Sequence, residues 1–201
     1  MKQEERRQQT LQLLLSTVKE LIHEKGCDEV KMSDIMERSG LSKGAIFHYV
    51  KTKDELFALI LQERLDDIDA RFNERVDQEE EREFQGPLKE ITRKLSALDD
   101  SEETTNQIIL YLLGKSSQPV VAAALRDFHE SSFQLARQWI VTGQNHGVIP
   151  AAIDADRTAE LFILVSHGLR MRTAIQAGTP SFTSDDFAAF LAHTLNPPAS
   201  S

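Results

Sequence analysis

Between Val30 and Leu56 the chain gathers residue types that can hold an anion. Ser42 stands where a helix would begin. A serine there caps one backbone amide and leaves the others, with the positive end of the helix dipole, facing outward. Lys43 adds a full charge at the same place, and the combination suits a phosphate group. Gly44 follows at a cost of roughly 1 kcal/mol in helix propensity relative to Ala, which fits a site that something must approach closely. His48, Tyr49, Lys51 and Lys53 put further donors at the far end of this helix and on the first turn of the next. The chemistry on offer is recognition of a phosphate-bearing surface.

Bond-making chemistry finds little support. Gly114-Lys115-Ser116 imitates the end of a phosphate-binding loop, but Ile109 stands in place of its first Gly and a helix precedes it instead of a strand. The six His (His23, His48, His129, His146, His167, His193) show no His-x-x-x-His spacing, and neither Gly-x-Ser-x-Gly nor Gly-x-Gly-x-x-Gly occurs. The single Cys27 excludes an intramolecular disulfide and a Cys-based zinc site. No catalytic residue, metal site or cofactor is assigned, and the chain is not read as an enzyme.

Helices must position these residues. Leu11, Leu14, Leu15, Val18, Leu21 and Ile22 recur at three and four residues, and Gly26 is read as ending that helix. Met32–Ser39 and Ser42–Tyr49 are two short helices around Gly40, where the turn needs a positive φ. Thr52-Lys53-Asp54-Glu55 is a capping box for a helix running to about Asp77. An acidic run from Gln78 to Glu83 is a solvated helix end or linker. Gly86-Pro87 opens a helix through Leu88, Ile91 and Leu95, and Ile108 to Leu113 carries another. A long helix follows Gln118-Pro119, with the stripe Val121, Leu125, Phe128, Ser132, Ala136 and Trp139, before a loop from Gly143 to Pro150. From Asp156 a helix is apolar nearly all round, and Ser184-Asp185-Asp186 caps the last one. The prediction is all-α, with about nine helices: a three-helix helix-turn-helix domain at 1–52, a larger helical domain at 53–196 and a flexible tail at 197–201.

The chain of 201 residues carries a net charge of −9, unevenly spread. Residues 1–55 hold 10 Lys+Arg against 10 Asp+Glu, and residues 56–201 hold 13 against 22. Phosphate attraction acts over about one Debye length, ~8–10 Å, so a local basic face can still bind DNA. Apolar runs such as 120–125 and 161–165 are far shorter than the ~18 residues of a membrane span, and Met1 to Arg7 has no signal-peptide character. A cytoplasmic protein without a membrane partner is expected.

Residues 11–56 resemble the DNA-binding domain of the TetR family of transcriptional regulators. The resemblance rests on Glu24-Lys25-Gly26, Met32-x-Asp34-Ile35, Ser39-Gly40-Leu41-Ser42-Lys43-Gly44-Ala45-Ile46 and Phe47-His48-Tyr49-Val50-Lys51-Thr52-Lys53-Asp54-Glu55-Leu56. It implies Ser42, Lys43, Gly44, Ala45, Phe47 and His48 at the major groove of operator DNA, with Tyr49, Lys51 and Lys53 on phosphates. Two departures stand out. Phe47-His48-Tyr49-Val50 replaces the family's usual Tyr-x-His-Phe, leaving Tyr49 or His48 to supply the phosphate bond and Phe47 either to pack or to touch a base or sugar. Lys31 stands where a Thr often caps the second helix, exchanging a cap for a charge within reach of a phosphate.

One short helix reads too few base pairs for specificity, so a two-fold dimer is expected. Its interface is read as Leu161, Leu164, Val165 and Gly168 with Phe187, Phe190 and Leu191. The resemblance also implies an effector cavity. His129, Ser132, Trp139, Ser166, His167 and Arg170 are its candidates, for an unknown hydrophobic or amphipathic small molecule; each is otherwise a core or surface residue. The family's usual mode implies a repressor released by that molecule. The competing readings are a helical sensor or adaptor whose DNA-binding domain no longer works, and an all-helical enzyme.

Overall fold

The computed structural model describes residues 2–78, 95–175 and 179–196. Among them it has eight α-helices, one 3-10 turn and no strand: α1 (Lys2–Glu29), α2 (Met32–Ser39), α3 (Lys43–Phe47), α4 (Lys53–Gln78), the 3-10 turn Leu95–Asp99, α5 (Thr104–Leu113), α6 (Pro119–Asn145), α7 (Ala155–Ile175) and α8 (Ser184–Leu195). The predicted all-α class holds. The acidic run after Gln78, most of the helix expected from Pro87 and the tail 197–201 lie outside the described residues. The chain forms two compact units, Met1–Arg64 with Thr104–Phe128, and Leu65–Glu103 with His129–Ser201.

In the first unit Leu14, Leu15, Val18, Leu21 and Ile22 of α1 are buried, as their spacing predicts. Ile35 of α2, Ile46 of α3, Val50, Leu56 and Phe57 of the same unit are buried too. Gly26 does not end α1: at φ 77 and ψ 163 it kinks the helix, which resumes for one turn to Glu29. Gly40 takes φ 67, and its amide donates to the Met36 carbonyl at 3.0 Å. A side chain would resist that left-handed conformation. α3 is shorter than predicted, because Tyr49 N donates to Ile46 O at 2.9 Å, a three-residue bond that tightens the end into a turn and carries Val50 into the core. α5 contributes Ile108, Ile109 and Leu112 to this unit's core.

The second unit buries Leu98, Ile140, Ile149, Ala159, Phe162, Leu169, Phe187, Leu191 and Leu195 around one centre. Asp99 holds it together: its carboxylate takes the Arg172 guanidinium of α7 and the Ser184 amide at the start of α8. α8 is capped by Thr183 and not by Ser184, which is itself buried. Asp186 N donates to Thr183 Oγ1 at 3.3 Å while the Asp186 carboxylate accepts from Thr183 N at 2.8 Å.

Candidate functional site

α3 presents its first turn to the outside. Ser42 Oγ accepts from Ala45 N at 3.2 Å, the predicted cap, and half-buried Ala45 follows exposed Lys43 and Gly44. A Cβ built on Gly44 would meet nothing within 4 Å, so the fold itself does not demand glycine there. Phe47 is 43% exposed, with Lys43 Nζ 5.4 Å from its ring centroid. Phe47 is thus outside the buried core, and its exposed part is open to a base or sugar.

The other expected contacts divide. Lys51 and His48 are exposed, the latter edge-on to Tyr49 with centroids 5.4 Å apart. The Tyr49 hydroxyl donates to the Arg7 carbonyl at 3.1 Å, so it ties the end of α3 to α1. Lys31 is exposed and heads α2. The cap its side chain cannot give comes in reverse, from Asp34 Oδ2 accepting Lys31 N at 3.0 Å. The Lys25 ammonium on Asp34, and then that amide, hold the Asp34 carboxyl below its usual range.

Lys53 departs from its expected place. Its ammonium donates to the carbonyls of Cys27 and Asp28 at 2.9 Å and Val30 at 2.8 Å, closing the end of α1. Burial, then the neighbouring Lys115, lowers its pKa. Glu55 likewise caps differently from the prediction: its amide donates to Thr52 Oγ1 at 3.2 Å, but its carboxylate accepts from Lys51 N at 2.7 Å.

Two groupings escaped sequence reasoning. Arg6, Arg7 and Thr10 line an open cleft of about 540 Å3 with His48 and Tyr49. Their signal was the basic pair ahead of Leu11, which continues α1 upstream. Tyr111 of α5 donates to Asp54 Oδ1 at 2.9 Å, and Lys115 Nζ lies 3.3 Å from Asp54 Oδ2. Lys115, the lysine of the apparent phosphate loop, is thus an ion-pair partner. Cys27 is 6% exposed and burial pushes its thiol up to about 12, far from the thiolate a redox sensor needs.

In the second unit Trp139 and Ser166 border one cavity of about 100 Å3, with Phe162, Phe187 and Leu191. The Trp139 indole stacks on Phe72, centroids 5.0 Å apart, with Nε1 3.4 Å from Asp69 Oδ1. His129 and His167 are absent from the lining and meet each other, Nδ1 to Nε2 at 3.4 Å. Ser132 and Arg170 are half-buried and do not line it either. Of the expected interface, Phe187 (0%) and Leu191 (3%) are core and Val165 packs against that core, because the buried face of α7 is Ala159, Phe162 and Leu169. Leu161 (41%), Leu164 (56%), Gly168 and Phe190 (40%) stay exposed, joined by Met171 and Ile175.

Among the described residues no helix is long and apolar enough to cross a membrane, and no three His, Cys, Asp or Glu side chains gather as a metal site. Residues 14–60 match the profile of the bacterial regulatory proteins of the tetR family. No curated protein matches by sequence. Among solved structures, Salmonella enterica GusR shares 20% identity at a TM-score of 0.62, covering 92% of this chain and 95% of that one. A protein from Saccharomonospora viridis described as a transcriptional regulator, in complex with choline, shares 19% at 0.63, covering 92% and 94%. SmeT in complex with triclosan shares 14% at 0.66, covering 92% and 90%. At these identities the likeness to solved structures is one of fold.

Proposed function

We propose, from the premise that this chain is a ligand-responsive DNA-binding regulator of the TetR family, that it acts in the cytoplasm as a homodimeric repressor, is no enzyme, and leaves its operator when a small molecule binds. The observation that carries the DNA-binding half is the free first turn of α3. Ser42, Lys43, Gly44 and Phe47 are exposed, and among the described residues a Cβ built on Gly44 would meet nothing within 4 Å. A fold that leaves a glycine and a phenylalanine exposed on a five-residue helix gains no stability from either. Both fit a surface that enters the major groove, with His48 beside them and Lys31 and Lys51 toward phosphates, while Tyr49 braces the end of α3 against α1. Arg6 and Arg7 join that phosphate-facing set. DNA reading falls to residues 1–52, and effector binding and dimerisation to residues 53–196.

The dimer reading rests on α7. Leu161, Leu164, Gly168, Met171 and Ile175 follow spacings of three and four residues, an exposed coiled-coil-like seam. Phe190 of α8 extends the exposed apolar surface. The effector reading draws on the two relatives solved with small molecules, choline and triclosan, and on the cavity beside Trp139.

Incubating the protein with sheared DNA of its source organism and sequencing what it retains tests the reading. One enriched pseudo-palindromic site is expected, with half-sites about one helical turn apart, ~34–36 Å, or at another fixed spacing. Retention without sequence preference would sink the operator claim, and no retention would favour a sensor whose DNA-binding domain has lapsed.

A further inference from the structure

The cavity beside Trp139 restricts what can enter it. Among the described residues its walls are aliphatic and aromatic side chains of α6, α7, α8 and the 3-10 turn together with Ser166, and none of them carries a formal charge. A charged ligand would shed its hydration there without a partner. Its volume of about 100 Å3 is below the ~150 Å3 of an apolar cavity that takes up benzene, so nothing larger than a single ring fits.

Two polar groups border it. The indole N–H of Trp139 is turned to Asp69. Ser166 Oγ donates its proton to the Phe162 carbonyl at 2.8 Å. With that proton committed, the Ser166 oxygen has only acceptor capacity left. Among the described residues an entering molecule therefore meets an acceptor and no free donor.

We propose that this cavity binds a neutral, single-ring ligand carrying one O–H or N–H donor, a molecule of the phenol class, with the donor accepted by Ser166 Oγ and the ring held among Trp139, Phe162 and Phe187. This assignment rests on the ligand-responsive reading above and gives that ligand its chemistry.

Trp139 is the chain's single tryptophan, so its fluorescence reports from the cavity wall. Phenol, toluene and benzoate are the probes, titrated against the full-length protein. Saturable changes are expected with phenol and toluene, phenol binding about five-fold tighter for its one hydrogen bond, and none with benzoate. Ser166→Ala should erase the preference for phenol and leave toluene within about two-fold, because the ring contacts persist. Ala136→Leu, which fills the space, should weaken both neutral probes by about ten-fold or more. Should Ala136→Leu fail to fold, Ser166→Ala still decides.

No saturable response, a preference for benzoate, or a phenol preference that survives Ser166→Ala would overturn the proposal. Operator affinity measured with and without phenol keeps the two readings apart. Binding of phenol with unchanged operator affinity upholds the cavity assignment and removes this site from regulation. Release of operator by another compound, with phenol ignored, upholds the regulator and overturns the assignment.

Discussion

Lys53 donates to the carbonyl of Val30 at 2.8 Å, with Cys27 and Asp28 accepting from the same ammonium. The helix opening α4 therefore supplies the C-terminal cap of α1, in a sequence whose Gly26 kinks that helix without closing it. Lys53→Ala is expected to destabilise the protein by about 1–3 kcal/mol, since carbonyls left partly buried lose a charged donor. The slope of log operator affinity against log salt should stay put, whereas Lys51→Ala should reduce it by about 0.9. Urea unfolding beside DNA binding at several salt concentrations measures both. A stable Lys53→Ala variant with a reduced slope would return Lys53 to the phosphates.

Gly44 separates folding from function. Because a Cβ there meets nothing within 4 Å, Gly44→Ala should leave the fold intact and stabilise it by up to about 1 kcal/mol through helix propensity. The same methyl group would stand between α3 and the groove, and operator affinity should fall by about ten-fold or more. Thermal unfolding paired with DNA binding checks this. An Ala variant with both higher stability and full affinity would show that DNA does not approach this backbone.

The helix-turn-helix was legible because its signals are local. Gly40 needs a left-handed turn, Ser42 caps within three residues, and Ile35 and Ile46 fall at helical spacing to a nearby core. Lys53 was not legible, because its partners lie 23 to 26 residues away and carbonyl groups leave no mark in a sequence. α7 was legible only in part, for another reason. A helix apolar nearly all round does not say which face meets its own core, and the structure buries Ala159, Phe162 and Leu169 while exposing Leu161 and Leu164. Phe187 and Leu191 shared that ambiguity on α8. Of the six cavity candidates, Trp139 and Ser166 border one cavity, whereas His129 and His167 turn to each other.

The exposed seam of α7 yields a prediction about assembly. Leu164, 56% exposed, lies in the middle of Leu161, Gly168 and Met171. Leu164→Asp would place a charge in the proposed dimer seam, and disrupting the centre of such an interface raises the dissociation constant by roughly 30-fold or more. Sedimentation should show a dimer for the native chain and a monomer for the variant, with helicity unchanged. A variant that stays dimeric would move the interface off α7. Operator affinity should drop as dimerisation is lost, while Gly44→Ala lowers affinity and leaves the dimer intact.

His167 predicts the response to acid. Burial, then the charges of Arg170 and His129, lowers its pKa to about 4 from an ordinary 6.5. Its ring stacks against that of His129, centroids 5.7 Å apart, with a nitrogen contact of 3.4 Å that suits neutral rings. Between these two pKa values the unfolded chain holds a proton on this residue that the folded chain refuses, so stability rises with pH across that window. The contribution is complete above about pH 6.5 and is lost as the pH falls toward 4. Because the ring is only part-buried, the loss on going from pH 7 to pH 5 should be about 1–2 kcal/mol. His167→Gln removes the titrating group and fills a similar space. Urea midpoints at pH 7 and pH 5 should therefore converge in the variant relative to the native chain, by that amount. Parallel pH profiles for the two proteins would mean that His167 accepts its proton in the folded state as readily as in the unfolded one.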